Sequence, residues 1–286
     1  MQLLAESGGS KTAWYLFDES GLLRSHRSSG MNPNALAATE ILARQQEEWP
    51  EDLKVPEGTI VNFYGAGIGA APMRTQIQEV LETLFPKTEI LLETDMLAAA
   101  RATCGDEVGI VSILGTGSNC CWYDGKEITG NLGSHGFLFN DQGGGADLGR
   151  AMISAALDGE LPHDIEHQFR DWAGKSFLDI RTEIYQAEKT NVAMAKYSRF
   201  LAENASNPVL GSIVQRRFMA FFEKTILRMR KHRETPLHFV GSISAVYADI
   251  LRGSLNLLGL KASKILGEPG DALLAYHLDL LRKEKA

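Results

Sequence analysis

The chain has 286 residues, of which 44% are hydrophobic and 23% charged, an ordinary balance for a soluble globular protein long enough to form two cored domains. A formal net charge of -7 argues against general nucleic-acid binding, and no apolar run approaches the roughly 20 residues needed to span a bilayer. Cys104, Cys120 and Cys121 form no C-x-x-C pair, and no basic segment precedes an apolar stretch at the N-terminus. Both features predict a reducing, cytoplasmic setting.

Three strands open the chain, over Gln2–Ser7, Thr12–Asp18 and Leu22–Ser28, joined by Glu6-Ser7-Gly8-Gly9-Ser10-Lys11-Thr12 and by the Asp18-Glu19-Ser20-Gly21 hairpin turn. An amphipathic helix is predicted over Asn34–Trp49 and ended by Pro50. A strand over Thr59–Tyr64 runs into Gly65-Ala66-Gly67-Ile68-Gly69, and Pro72 opens a helix to Phe85. Glu89–Glu93 is a strand, after which Asp95 caps the helix Met96–Thr103. A second series begins with a buried strand, Val108–Leu114, the turn Gly115-Thr116-Gly117-Ser118-Asn119, and strands over Cys120–Tyr123 and Glu127–Thr129. Both halves thus start with strand, Gly/Ser/Thr turn and strand, an architectural repeat with slight sequence identity. Adjacent Cys120 and Cys121 point to opposite faces, so one of them belongs to the core. A glycine-rich stretch, Asn131–Asp147, precedes a largely helical region to Arg233. Pro236–Val240 is a short strand, Gly241-Ser242 a turn, Ser244–Leu258 a helix, and Asp271–Lys283 the last helix. The domain boundary falls near Gly105-Asp106.

Several constellations could carry chemistry. The first loop resembles a nucleotide loop but is not a Walker A sequence: Ser10 precedes Lys11, Ala5 stands where the first glycine belongs, and a strand follows. Its phosphate reading uses Gly9, Ser10, Thr12 and backbone amides, with Lys11 as a supporting charge and Glu6 holding Mg²⁺ directly or through water; otherwise it is an ordinary hairpin. The Gly115–Ser118 turn allows close approach of a phosphate or a sugar. Asp95 follows a strand whose C-terminal end is where open α/β sheets place ligands. It reads as an N-cap, and also as a general base in phosphoryl transfer. Asp141, ahead of Gly143-Gly144-Gly145, reads as a Mg²⁺ or hydroxyl ligand or as part of a solvated loop ended by an Asp147 cap. Gly241-Ser242 could let an adenine or ribose lie on backbone. A competitor is Gly65-Ala66-Gly67-Ile68-Gly69-Ala70, which satisfies the dinucleotide G-x-G-x-x-[GA] pattern with Glu89 or Glu93 near the ribose-binding position. The cluster Arg228, Arg230, Lys231, His232, Arg233 closes a long helix, where cations favour the C-terminus. The seven histidines show no H-E-x-x-H or other ligand spacing.

Together, the ordered set of loop, Asp95, GTGS turn, Asp141 loop and late Gly-Ser turn resembles the acetate and sugar kinase, actin and hexokinase superfamily. It is most similar to the BadF/BadG-type ATPase family that includes N-acetylglucosamine kinases. The most specific stretches are Thr94-Asp95-Met96-Leu97-Ala98-Ala99-Ala100-Arg101-Ala102 and Ile113-Leu114-Gly115-Thr116-Gly117-Ser118-Asn119-Cys120, with Gly30-Met31-Asn32-Pro33 resembling a sugar-contacting segment. The resemblance implies an α/β fold of two actin/hexokinase-like (ribonuclease H-like) domains, each a five-stranded mixed sheet flanked by helices, with an active-site cleft between them. The domains would be residues 1–105 and residues 106–286, the second with a helical insertion and a last helix free to pack back on the first. ATP and Mg²⁺ would be bound, the metal by Glu6 and Asp141. Asp95 would be the base for a sugar hydroxyl, the 6-OH first. Asn32, Gly67, Gly117, Ser118, Asn119 and Asp141 would hold the sugar; Gly9, Ser10, Lys11, Thr12 and Thr116 would face the phosphates, and Gly241 and Ser242 the adenosine. Two departures stand out: Glu6 where much of the superfamily has Asp, and Gly133-Ser134-His135-Gly136 without an aromatic between its glycines. The leading expectation is ATP-dependent phosphorylation of an N-acetylhexosamine, with no nucleic-acid or membrane partner and a homodimer left open. Two alternatives stay beside it, a BadF-type ATPase that activates a partner enzyme and a non-catalytic sugar-sensing module.

Overall fold

The structure is a computed structural model that describes residues 1–133, 135–229 and 231–283. Ser134 of the Gly133–Gly136 segment and Arg230 of the basic cluster lie outside the described residues. In chain order the elements are β1 (Gln2–Ser7), β2 (Lys11–Asp18), β3 (Gly21–Ser29), α1 (Ala38–Glu48), β4 (Ile60–Gly65), α2 (Ala71–Leu84), β5 (Glu89–Thr94) and α3 (Asp95–Cys104). Then come β6 (Gly109–Leu114), β7 (Ser118–Tyr123), β8 (Ile128–Gly133), α4 (Gly145–Leu157), α5 (His163–Ala173), α6 (Phe177–Gln186), α7 (Thr190–Lys196), α8 (Ser198–Glu203) and α9 (Pro208–Lys224). A 3-10 turn over Ile226–Arg228 precedes β9 (Leu237–Val240), α10 (Ser242–Val246), α11 (Ala248–Leu257), β10 (Ala262–Leu266) and α12 (Gly270–Lys283).

Two compact units result, Met1–Asp106 with the segment beginning at Pro269, and Glu107–Glu268. Each contains one five-stranded mixed sheet, in the orders β3-β2-β1-β4-β5 and β10-β9-β6-β7-β8. In each, the first three strands form an antiparallel meander and the last two lie parallel to the first. The same topology therefore occurs twice, as an actin/hexokinase-like two-domain fold requires. Six helices, α4 to α9, stand between the third and fourth strands of the second sheet, where the first unit has only α1.

In the first unit, alternate residues divide the sheet. Leu3, Ala5, Trp14, Leu16, Val61 and Phe63 pack with Ile41 of α1 and Ile77, Val80 and Leu81 of α2. Helices α3 and α12 cover the other face and pack on each other. The buried alanines Ala98, Ala99, Ala100 and Ala102 let α3 lie close to its neighbours. In the second unit, Ile110, Leu114, Cys120, Leu237 and Phe239 carry the core formed with the helices.

Several elements differ from the sequence reading. Asn34–Ala37 is a turn, so α1 starts later: Asn32 Oδ1 accepts the Asn34 amide at 3.0 Å and competes with helix. Thr94, rather than Asp95, is the N-cap of α3, its hydroxyl accepting the Leu97 amide at 3.3 Å. Tyr247 breaks the helix after Gly241 into α10 and α11. Strand β10 has no counterpart in the sequence reading. Of the basic cluster, Arg228 lies in the 3-10 turn after α9 and Lys231, His232 and Arg233 in a following turn, rather than closing the helix, with Lys231 at φ +57. Cys120 and Cys121 are both buried, although adjacent strand positions point to opposite faces of the sheet. The dinucleotide alternative fails on topology, since an antiparallel pair precedes the glycine strand. Its glycines serve the protein itself: a Cβ at residue 65 would stand 2.5 Å from the Phe63 ring, and one at residue 67 would strike Asn32 and Asn34.

Candidate active site

In the first unit the parallel strands β1, β4 and β5 end side by side, with Ser7 opposite Gly65 and Gly65 opposite Thr94. The Gly8–Ser10 turn, the Ala66–Gly69 turn and Asp95 continue from those three ends. A hydrogen-bond relay sets the first turn: the Met31 amide donates to Ser7 Oγ at 3.0 Å, Ser7 and Thr12 hydroxyls lie 2.9 Å apart, and Thr12 Oγ1 donates to the Ser29 carbonyl at 2.9 Å. Thr12 is therefore buried with its hydroxyl committed to the turn, whereas Gly9, Ser10 and Lys11 are exposed. Behind the turn sits Gly30, where a Cβ would come within 2.6 Å of the Gly8 carbonyl oxygen and 2.8 Å of the Ser10 nitrogen. Asn32 and Gly67 come together, with Asn34 Nδ2 donating to the Gly67 carbonyl at 3.1 Å. Glu6 is half-buried on β1, in register with Ala13 and Tyr64.

Asp95 begins α3, and its Oδ1 accepts the Met96 amide at 2.9 Å. It remains partly exposed, and among the described residues no cation pairs with it. Burial pushes its pKa up to about 6, against the pull of the Met96 and Asp95 amides. Six residues along α3, Arg101 Nη1 donates to the Tyr64 hydroxyl at 2.5 Å, and that hydroxyl also meets His277 Nε2 at 2.9 Å. This network, absent from the sequence reading, joins residues 213 positions apart and has no local sequence signal.

The second unit repeats the arrangement with a different backing. The Gly115 amide donates to the Gly117 carbonyl at 3.0 Å, closing the turn between β6 and β7. The start of α4 is bonded to it: the Gly145 amide donates to the Gly115 carbonyl at 2.8 Å and the Ala146 amide to the Thr116 carbonyl at 2.9 Å. The Asp141 carboxylate lies over Gly117, where a Cβ would be 2.5 Å from Oδ2, and it accepts the Ser118 amide. Asp141 holds φ at +69, a strained conformation for a residue with a side chain. Its Oδ1 is buried without a hydrogen-bond partner. Burial raises its pKa, Asp147 adds to the rise, and the Ser118 amide and His135 oppose it. A buried, unpartnered carboxylate oxygen fits a cation or a hydroxyl donor.

Gly241 meets the same turn from β9. Its φ is +116, and a Cβ there would run into the Leu114 carbonyl, 2.8 Å from its carbon. Ser242 and Thr116 are exposed, Ser118 is buried, and Asn119 is half-buried with Oδ1 accepting the Cys120 amide at 2.8 Å. Thr116, Gly117, Ser118, Asp141 and Gly241 are thus brought together within this unit. Asp147 is structural: it is 4% exposed, pairs with Arg217 at 2.7 and 2.9 Å and with Arg150 at 2.7 Å, and accepts the Gly143 amide at 2.9 Å. Among the described residues no group of three or more His, Cys, Asp or Glu side chains forms a metal cage, and no helix is long and apolar enough to cross a membrane.

The chain matches no protein-family model. It is similar to a solved structure from Porphyromonas gingivalis, provisionally assigned as an N-acetylglucosamine kinase, at 33% identity and a TM-score of 0.89, over 98% of this chain and 99% of that one. The chain belongs to this family of sugar kinases. A second provisional N-acetylglucosamine kinase, from Chromobacterium violaceum, shares the fold at 18% identity and a TM-score of 0.77, over 96% and 99% of the two chains. A ROK family glucokinase from Streptomyces griseus, solved with glucose and AMPPNP, shares it at 16% identity and a TM-score of 0.58, over 98% and 99%. The chain is accordingly a carbohydrate kinase of the actin/hexokinase-like fold.

Proposed function

We propose that this kinase transfers the γ-phosphoryl group of ATP to an N-acetylhexosamine, with N-acetylglucosamine to its 6-phosphate as the first expectation. The observation that carries the reading is Asp95, a carboxylate without a cation partner at the end of β5, level with the Ser7–Ser10 and Gly65–Gly67 turns. With a pKa of about 6 it is ionised at neutral pH and basic enough to take a proton from a sugar hydroxyl. The hydroxyl oxygen forms its bond to the γ-phosphorus as the bond to ADP breaks, and the hydroxyl proton passes to an Asp95 carboxylate oxygen.

Asn32 and Gly67 in the first unit, and Gly117, Ser118, Asn119 and Asp141 in the second, are proposed to hold the sugar. Gly9, Ser10, Lys11, Thr116, Gly241 and Ser242 are proposed for the nucleotide, with Thr12 acting through the shape of its turn. Glu6 and the unpartnered oxygen of Asp141 suit Mg²⁺, which when bound with the nucleotide neutralises charge on the phosphates. Cysteines outside any disulfide agree with the proposed cytoplasmic location. The activator alternative needs cysteines able to hold an iron–sulfur cluster. Here Cys120 and Cys121 are buried in β7, and burial pushes the Cys120 thiol up to about 12.

The test is a panel of N-acetylglucosamine, N-acetylmuramic acid, N-acetylmannosamine, glucosamine and glucose with Mg-ATP, reading ADP release. The proposal expects turnover only with N-acetylated sugars, and mass and NMR analysis locating the phosphate on O6. ADP release independent of sugar, or preference for glucose, would reject it.

A further inference from the structure

We propose that His163 and His167 form a two-histidine chelate for a tetragonal divalent cation, Cu²⁺ or Ni²⁺, on the outer face of α5. The spacing H-x-x-x-H carries no message until a helix is established, when positions four apart lie one above the other on the same face. Ile165 and Phe169 are buried and anchor the opposite face of α5. Both histidines are exposed, and their ring centroids stand 4.5 Å apart. Neither ring makes a hydrogen bond or ion pair with any described residue, so their nitrogens are available. The nearby Glu166 is engaged with Arg170 at 3.7 Å.

The ring contact puts both imidazoles within reach of one ion. Imidazole nitrogens bind divalent first-row ions in the order that rises through Ni²⁺ to Cu²⁺ and falls at Zn²⁺, and a two-nitrogen set completed by water suits the tetragonal geometry of Cu²⁺ and Ni²⁺. Water would fill the remaining positions. The pair shares no residue with the proposed metal ligands Glu6 and Asp141 and does not depend on the proposed sugar chemistry.

The experiment uses the untagged full chain, titrated with Cu²⁺, Ni²⁺ and Zn²⁺ by calorimetry, and Cu²⁺ electron paramagnetic resonance to count nitrogen ligands. One tight ion per chain with two imidazole nitrogens is expected. His163→Ala or His167→Ala should each weaken binding by at least about tenfold, because one of two chelating ligands is lost. The double variant should lose the site, while His232→Ala keeps it and kinase activity with Mg-ATP, no Cu²⁺ or Ni²⁺ being added, is unchanged in all. Undiminished binding by the double variant, a single-nitrogen spectrum, or tighter binding of Zn²⁺ than of Ni²⁺ would overturn the proposal.

Discussion

Replacing Asp95 by Asn separates the cost of holding a buried carboxylate from its use. In the folded protein burial lifts this group from the ordinary 3.8 to about 6. Because the folded pKa lies above the unfolded one, the native state binds the proton more tightly. Below pH 3.8 both states are protonated and there is no penalty. As pH rises through 6 the native carboxylate must ionise, and stability falls by up to about 3 kcal/mol. Asn keeps an oxygen to accept the Met96 amide and carries no charge, so Asp95→Asn should be more stable by about 2–3 kcal/mol at pH 7.5 and no different near pH 3.5. The same change removes the proposed base and should lower kcat by about 10²–10⁴-fold with nucleotide affinity intact. In the wild type, kcat/KM should fall below pH 6. Urea unfolding at the two pH values and coupled ADP release are the assays. A variant that is no more stable at pH 7.5, or one retaining more than a tenth of wild-type kcat, would refute the reasoning.

Gly117→Ala would push the Asp141 carboxylate, a movable side-chain end, off its seat; the melting temperature should change by less than about 4 °C, while the sugar KM rises and the nucleotide KM holds. Asp147→Asn breaks the pairing with Arg217 and Arg150 and should cost about 3 kcal/mol or more in urea denaturation. Burial holds His238 and His277 down at about 4. Unfolded chains take up protons on these rings below pH 6.5 and the native protein does not, so between pH 6.5 and 4 each removes up to about 3 kcal/mol of stability. Replacing either His by Gln should flatten that acid loss in denaturation curves.

What the sequence makes legible depends on the range of the interactions. The strand-turn-strand signals at Glu6–Thr12 and Gly115–Ser118 are local, because two glycines and flanking β-formers suffice to define a hairpin, and both turns occur where expected. The apolar period similarly places β1, β4 and β6. β10 is hidden because Ala262–Leu266 is an edge strand with exposed Ser263 and Lys264, lacking the apolar run of a central strand. The capping of α3 passes from Asp95 to Thr94 by one residue, a difference set by backbone dihedrals, while the Asp95 carboxylate still accepts the Met96 amide. The Tyr64–Arg101–His277 network and the roles of Gly30 and Gly144 arise only from packing between distant segments.

Those two glycines bear on how, under the proposed nucleotide site, a hairpin would do the work of a Walker A loop. A Walker A loop draws phosphate donors from the start of a helix. In this chain the amides of Gly143 and Gly144, just ahead of α4, and of Gly145 and Ala146, at its start, are already used, by the Asp147 carboxylate and the carbonyls of Asp141, Gly115 and Thr116. In the proposed nucleotide site the donors would then come from the turns, and a turn can present amides in fixed directions only if something holds its back. Gly30 supports the Gly8–Ser10 turn, and Gly144 supports Gly117, where a Cβ would come within 2.7 Å of backbone. Any side chain at either position would displace the turn it supports. The missing glycine and missing helix that exclude Walker A thus belong to another solution, in which each unit braces a short turn against a second backbone segment.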